Sequence, residues 1–280
     1  MADRWLVTGA TGRLGTILRE IMNDSEIESF YISLNGTNDT ISCDLNYPEN
    51  IERLLNNYRP NKVLHLAAIS HPAHICTDSA RAYRINVEAT EAISRWCHQH
   101  GRWMLFASTD HVFSGGAGPY EEADRPRPRT LYGQMKKKAE AIVLNAGGAV
   151  ARYGWIVNDY SHDRPDFLNL ALANLRAGKA AFAAYDELRS PIGARAAAEA
   201  TLFLSQMKYR SIIHVAGKKH YSPYDLVVEA AKRENLPLNL VRRVPSMTLA
   251  PPNRPRDVRL DTTLLSRLME TGLNDARLTA

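Results

Sequence analysis

Cysteine is scarce in this chain: Cys43, Cys76 and Cys97 are the only three among 280 residues. Their wide separation gives neither a disulfide framework nor a zinc-ligand spacing, so a reducing cytoplasm is the expected home. Long apolar runs are also missing, which excludes a membrane-spanning helix. A strand-like run starts directly after residue 3, and no signal peptide is expected. Basic residues do not gather into one block, although the net charge is +5. Arg125, Arg127 and Arg129 alternate with prolines, and Arg254, Arg256 and Arg259 occupy another Pro-rich stretch. Solvated loops with one phosphate contact explain that pattern better than a nucleic-acid surface. The positive balance suits a small anionic ligand. No internal repeat or low-complexity segment is evident.

What remains is an ordinary globular composition, 45% hydrophobic and 23% charged, long enough for one large core or two unequal lobes. Apolar strand-like runs at 5–8, 28–34, 62–68, 103–108 and 148–152 alternate with helical spacing at 14–22, 51–58, 79–100 and 131–145. Such alternation predicts an α/β fold: a doubly wound parallel sheet of Rossmann type with right-handed crossovers. Past Trp155 the rhythm changes. Helices are expected at 166–177, 194–207 and 222–234, with a short strand at 212–215 and a tail richer in Pro and Arg. The expected division is a dinucleotide-binding domain of 1–154 plus about 183–216. A smaller substrate lobe would comprise about 155–182 plus 217–280.

The chain opens with TGATGRLG, in which Gly9, Gly12 and Gly15 follow a strand and open a helix. Glycines at that spacing permit a tight turn and let the backbone approach a pyrophosphate at the helix N-terminus. The second strand ends near Ser33 and Asn35, where an NAD site usually has an acidic residue for the adenosine ribose. Lacking that carboxylate, the site favours NADP(H) over NAD(H). Arg13 either pairs with the 2′-phosphate or stays in water. Asp44 either accepts from the adenine amine or caps a turn, and Ala67 and Ala68 are small enough to let a cofactor pass. The cofactor contacts expected on this basis are Gly9, Thr11, Gly12, Arg13, Leu14, Gly15, Ser33, Asn35, Asp44, Leu45, Ala67 and Ala68, with Tyr132 and Lys136 at the nicotinamide end.

Tyr132 and Lys136 stand four apart on one predicted helix, so their side chains share a face. A free tyrosine has a pKa near 10. Lowering it by about 3 units for proton exchange at neutral pH requires about 4 kcal/mol of preferential phenolate stabilisation. A nearby ammonium and a positively charged nicotinamide ring would supply it. Lys136 would also hold the nicotinamide ribose. Thr109, in STDHVF, would donate a hydrogen bond to a substrate oxygen gaining negative charge. Lys137 and Lys138 point elsewhere and are expected in solvent. His65 reads as a satisfied core histidine. His71 and His74 have no companion ligands, so no protein-bound metal is expected.

The ordered set TGATGRLG, CDL, HLAA, STDHVFSG, YGQMK, RYGWI, RSPIG and RPRDVRLD resembles the extended short-chain dehydrogenase/reductases, and within them the dTDP-4-dehydrorhamnose reductase branch. That resemblance spans nearly the whole chain. It implies a Rossmann domain with a small substrate domain, and reduction of a 4-keto group on a nucleotide-linked 6-deoxysugar by NADPH or NADH. It implies Thr109, Tyr132 and Lys136 as the catalytic set. Ser70, Thr109, Asp110, His111 and Trp155 would face the substrate. His111 departs from the tyrosine usual after STD, which leaves two readings: an altered sugar or carrier, or a neutral polar filler. The expected partner is a small keto-sugar, with neither nucleic acid nor membrane; a homodimer is compatible with it. A competing implication comes from the methionine adenosyltransferase β-subunit, which resembles the same branch yet serves as a non-catalytic, NADP-binding regulatory partner.

Overall fold

A computed structural model describes residues 3–37, 39–157, 166–249 and 253–278. Seven strands form one parallel sheet: β1 (Arg4–Thr8), β2 (Glu28–Ser33), β3 (Ile41–Ser42), β4 (Lys62–His65), β5 (Trp103–Thr109), β6 (Ala149–Tyr153) and β10 (Ile212–Val215). Their spatial order is β10-β6-β5-β4-β1-β2-β3. The order reverses between β4 and β1, and the carboxyl ends of those two strands open the crevice where open α/β sheets bind ligands.

Side-chain alternation divides the core into two layers. Trp5, Val7, Leu64, Trp103, Leu105, Ala149 and Ala151 point to one face, covered by α1 (Arg13–Asn23) and α8 (Ala194–Gln206). Leu6, Val63, Met104, Phe106 and Val150 point to the other, covered by α2 (Pro48–Tyr58), α5 (Ala89–Gln99) and α6 (Leu131–Asn145). Strands buried on both sides must be apolar at nearly every position, which is why they read as continuous runs.

Two expected elements are shorter than their patterns. The strand drawn through 62–68 ends at His65, because residues 66–69 turn away to line the crevice. The helix drawn over 79–100 begins as α4 (Ser79–Tyr83), passes through a π turn at Arg84–Glu88, and resumes as α5. That turn directs Asn86 inward, where its amide exchanges two hydrogen bonds with the Ile69 backbone at 2.9 and 2.8 Å. A short helix, α3 (Pro72–Thr77), precedes it.

Beyond β6, strands β7 (Ile156–Val157) and β9 (Ile192–Gly193) pair with each other. A separate apolar cluster joins α7 (Phe167–Arg176), β8 (Ala181–Ala184), α9 (Pro223–Arg233) and β11 (Val241–Val244), through Leu172, Leu175, Ala183, Val227 and Val241. The expected segment 155–182 includes residues 158–165, which lie outside the described residues. The last helix, α10 (Thr263–Leu278), sends Leu265, Leu268 and Met269 back to the first core layer. The apolar face of α10 thus buries against the large sheet and not in the separate cluster of α7, β8, α9 and β11.

Candidate active site

The crevice is built around one glycine. Gly9 has φ +69°, and a Cβ there would stand 2.7 Å from the Ala67 nitrogen. Only glycine lets the turn after β1 touch the turn after β4. The crevice is a cavity of ≈570 Å³ lined by Gly9, Thr11, Gly12, Ser33, Asp44, Leu45, Ala67 and Ala68, all of them expected. Cys43, His74, Thr77, Asp78, Arg81 and Ile85 also line it and were not foreseen. Gly12 precedes α1 without a side-chain cap, so the first N–H groups of the helix stay open to an anion.

Leu14 and Gly15 belong to that first turn of α1, so their backbone N–H groups are among those left open. Leu14 and Gly15 are buried, with Leu14 in the core layer beneath α1, so neither turns a side chain to the cavity. Asn35 is exposed and does not line it. Arg13 is exposed and makes no ion pair among the described residues. Ser33 shares a hydrogen bond with Thr40 (2.8 Å) and accepts one from the Gly36 backbone (3.1 Å). Asp44 accepts from the Asn46 backbone at 2.9 Å while lining the cavity, so its turn role and its position beside a ligand coexist. Ser70 is exposed just past the cavity loop.

His65 braces that loop from behind. Its ring nitrogens meet Thr8 Oγ1 at 2.7 Å and Thr90 Oγ1 at 3.0 Å, and Thr8 Oγ1 accepts from the Ala67 nitrogen at 3.3 Å. Burial, with help from the Lys136 charge, pushes its pKa down to about 3, so the ring is neutral.

At the other end, Thr109 closes β5. Its hydroxyl donates to Asp110 Oδ1 at 3.1 Å and accepts from the His111 nitrogen at 3.2 Å. Thr130 caps α6 by accepting from the Gly133 nitrogen at 3.1 Å. A Cβ on Gly133 would lie 2.2 Å from the His111 carbonyl oxygen, so the bare glycine lets the first turn of α6 rest on the backbone after Thr109. Tyr132 thereby meets the His111 ring edge-to-face, with centroids 6.2 Å apart. Two residues 23 apart in number, Thr109 and Tyr132, end up on facing elements.

Lys136 is buried on the same helix, with Nζ 3.8 Å from the Phe106 ring centroid. Burial brings its pKa down to about 7, opposed by the Glu140 carboxylate. Tyr132 is pushed up, by burial first and then by Asp110. The expectation that Lys136 lowers the Tyr132 phenol is thus not met by the protein's own charges: the dominant effect around the ring is desolvation, and the charge that adds to it, Asp110, is negative. His111 is held down to about 4, by burial first; Asp110 opposes the fall, and Arg189 and Arg254 add to it. It is neutral near pH 7. Lys138 is not simply solvated, because its ammonium donates to the Tyr83 hydroxyl. Trp155 is half-buried against Phe167, ring centroids 5.6 Å apart.

Sequence reasoning missed the polar group beneath this site, Ser108, Glu140 and Arg152. The available signal was Glu140 itself, a carboxylate eight residues past Tyr132 on a face otherwise buried. Among the described residues, no three His, Cys, Asp or Glu side chains converge as a metal site, and no helix is long and apolar enough to cross a membrane.

A family model described as the RmlD substrate binding domain matches residues 3–278. The chain belongs to that family. Similar proteins include methionine adenosyltransferase 2 subunit beta of Xenopus laevis, 25% identical over 95% of this chain and 82% of its own length. The crystal structure of a hypothetical dTDP-4-dehydrorhamnose reductase from Sulfolobus tokodaii superposes with a TM-score of 0.86, at 29% identity over 94% of each chain. A Bacillus anthracis dTDP-4-dehydrorhamnose reductase, solved in complex with NADP, shares the fold with a TM-score of 0.85, 21% identity, and 95% and 92% coverage.

Proposed function

We propose that this RmlD-family chain is an NAD(P)-dependent oxidoreductase that reduces a keto group on a nucleotide-linked deoxysugar. The observation that carries the reading is the contact made possible by Gly133, which sets the Tyr132 helix against the backbone following Thr109. That contact lies at the carboxyl edge of the sheet, the edge on which the glycine-lined crevice also opens. The crevice fits a dinucleotide: its volume is typical of ligand pockets, its glycine turn admits close backbone approach, and an uncapped helix end faces it.

A bound nicotinamide cofactor supplies a hydride when reduced and a positive ring when oxidised. The protein's part follows from its own groups. Thr109 turns its hydroxyl from Asp110 to the substrate oxygen as negative charge develops there. Tyr132 then gives its phenolic proton to that oxygen. With the phenol raised by burial and Asp110, Tyr132 holds its proton until positive charge arrives beside it. Lys136, with its pKa brought down to about 7, would hold the cofactor ribose and add charge when protonated. Trp155 and Ser70 flank the sugar, and the lobe built on α7, β8, α9 and β11 sets which sugar enters. NADP(H) is favoured over NAD(H), because Ser33 with Thr40 replaces a carboxylate at the end of β2 and Arg13 is uncommitted.

A screen of keto-sugar nucleotides, followed by loss of reduced-nicotinamide absorbance, tests the reading. Tyr132→Phe abolishes turnover with cofactor affinity retained; near-normal oxidation by that variant refutes the role of the phenol. The resemblance to methionine adenosyltransferase subunit beta supports a second reading, a regulatory subunit that binds NADP. It requires a stoichiometric enzyme partner on affinity capture and no ketone reduction.

A further inference from the structure

We propose that Ser108, Glu140 and Arg152 form a buried clamp that positions α6 on the sheet and favours the charged form of Lys136, an inference that rests on the reductase reading. Tyr132, Lys136 and Glu140 follow one another at steps of four, so they form one stripe along α6. Glu140 Oε1 accepts from Ser108 Oγ at 2.5 Å and from Arg152 Nε at 3.0 Å, and its Oε2 accepts from Arg152 Nη2 at 2.9 Å. Glu140 is 3% exposed and Arg152 1%. Arg152 commits Nη1 to the Glu122 carbonyl at 3.3 Å and lies 5.1 Å from the Phe113 ring centroid.

The register gives this cluster its leverage. Ser108 and Arg152 are partners across β5 and β6, and Ser108 immediately precedes Thr109. The clamp therefore ties the Tyr132 helix to two strands at the level of the Thr109 hydroxyl. A two-pronged guanidinium–carboxylate contact has a fixed plane, and sliding α6 along its axis breaks both prongs. Stability alone does not call for such a pair, since buried ion pairs are often replaced by apolar side chains without loss. Position is the better explanation.

Charge is the second effect. Lys136 is approached by Glu140 from its own helix and by neutral His65 from β4, while Arg152 of β6 stands behind Glu140. Asp110, in the turn after β5, acts on Tyr132. Of these groups, only Glu140 pulls Lys136 towards its protonated form against burial.

Glu140→Gln tests both effects. The double variant Glu140→Met/Arg152→Met removes the pair without stranding a buried charge, and Ser108→Ala cuts only the link to β5. Lysine 13Cε NMR titration, assigned with Lys136→Arg, reads the Lys136 midpoint independently of turnover. The midpoint falls by about 1 pH unit in Glu140→Gln, where Arg152 is also left unopposed, and by a smaller amount in the double variant, and the alkaline limb of kcat moves to lower pH with it. Ser108→Ala keeps the midpoint and lowers kcat about tenfold, with substrate KM changed less than about threefold. An unshifted midpoint in the folded double variant, or wild-type kcat in Ser108→Ala, overturns the inference. If the wild-type protein reduces no keto-sugar, the reductase reading fails instead, and the Lys136 midpoint still decides the clamp's electrostatic role.

Discussion

Gly133→Ala separates geometry from stability. The new Cβ would sit 2.2 Å from the His111 carbonyl oxygen and 2.8 Å from Pro128 Cβ. Ordinary contact begins near 3.4 Å, so α6 and the turn after β5 must part by about 1 Å. Overpacking of this kind costs about 1–3 kcal/mol. Alanine returns about 1 kcal/mol, because Gly133 lies inside a helix. The net loss is about 0–2 kcal/mol, a fall in Tm of about 0–8 °C for a chain of this size. Turnover suffers far more: a displacement of about 1 Å between a proton donor and its reacting oxygen costs on the order of a hundredfold. Most of the cofactor cavity is built by other elements and α6 reaches the cofactor only at its nicotinamide end, so NADPH affinity falls by less than about tenfold, well short of the loss in turnover. Thermal melts, NADPH fluorescence titration and steady-state kinetics measure the three quantities. A variant whose kcat stays within about threefold of wild type refutes the claim that this contact sets the Thr109–Tyr132 spacing.

Gly9→Ala meets the Ala67 backbone and a positive φ together; NADPH affinity falls more than about tenfold, with Gly101→Ala, equally positive in φ but unobstructed, as the control that leaves binding intact. Fluorescence titration of both variants checks this. His65 imposes an acid dependence: its folded pKa of about 3 lies below the ordinary 6.5, so the unfolded chain binds the extra proton between those values. Its contribution to stability is fully present above pH 6.5 and is lost as pH falls towards 3, with a slope of up to about 1.4 kcal/mol per pH unit. Urea unfolding of His65→Asn at several pH values shows a flatter acid limb; an unchanged limb contradicts the assignment. Ser222 caps α9 by accepting from the Asp225 nitrogen at 3.0 Å, so Ser222→Ala lowers stability by about 1 kcal/mol in the same assay without altering kcat.

Local pattern carried much of the fold. The limits of α6 and β10 were read correctly at 131–145 and 212–215, because apolar spacing and turn residues mark both ends. Reading failed where tertiary contact decided the outcome. Residues 66–69 are as apolar as the strand before them, yet they leave the sheet to line a cavity. The π turn around Asn86 leaves no mark in helical periodicity. β8 pairs in parallel with β11 from about sixty residues away, and its alanines gave no strand signal. The site divides in the same way. Gly9, Asp44 and Ala67 carried local motif signatures, whereas Arg152 acquires meaning only beside Glu140 on a neighbouring element. The raised Tyr132 phenol was likewise invisible, because spacing on a helix says nothing about desolvation.

The most direct test of the reductase account follows one atom. NADPH carrying deuterium at the nicotinamide C4 is incubated with the protein and a keto-sugar nucleotide found by the screen, and the product is analysed by NMR. The account predicts deuterium on the new carbinol carbon, from one face only, and none with Tyr132→Phe. Transfer of solvent hydrogen to that carbon, or a labelled product from the Phe variant at wild-type rate, contradicts it.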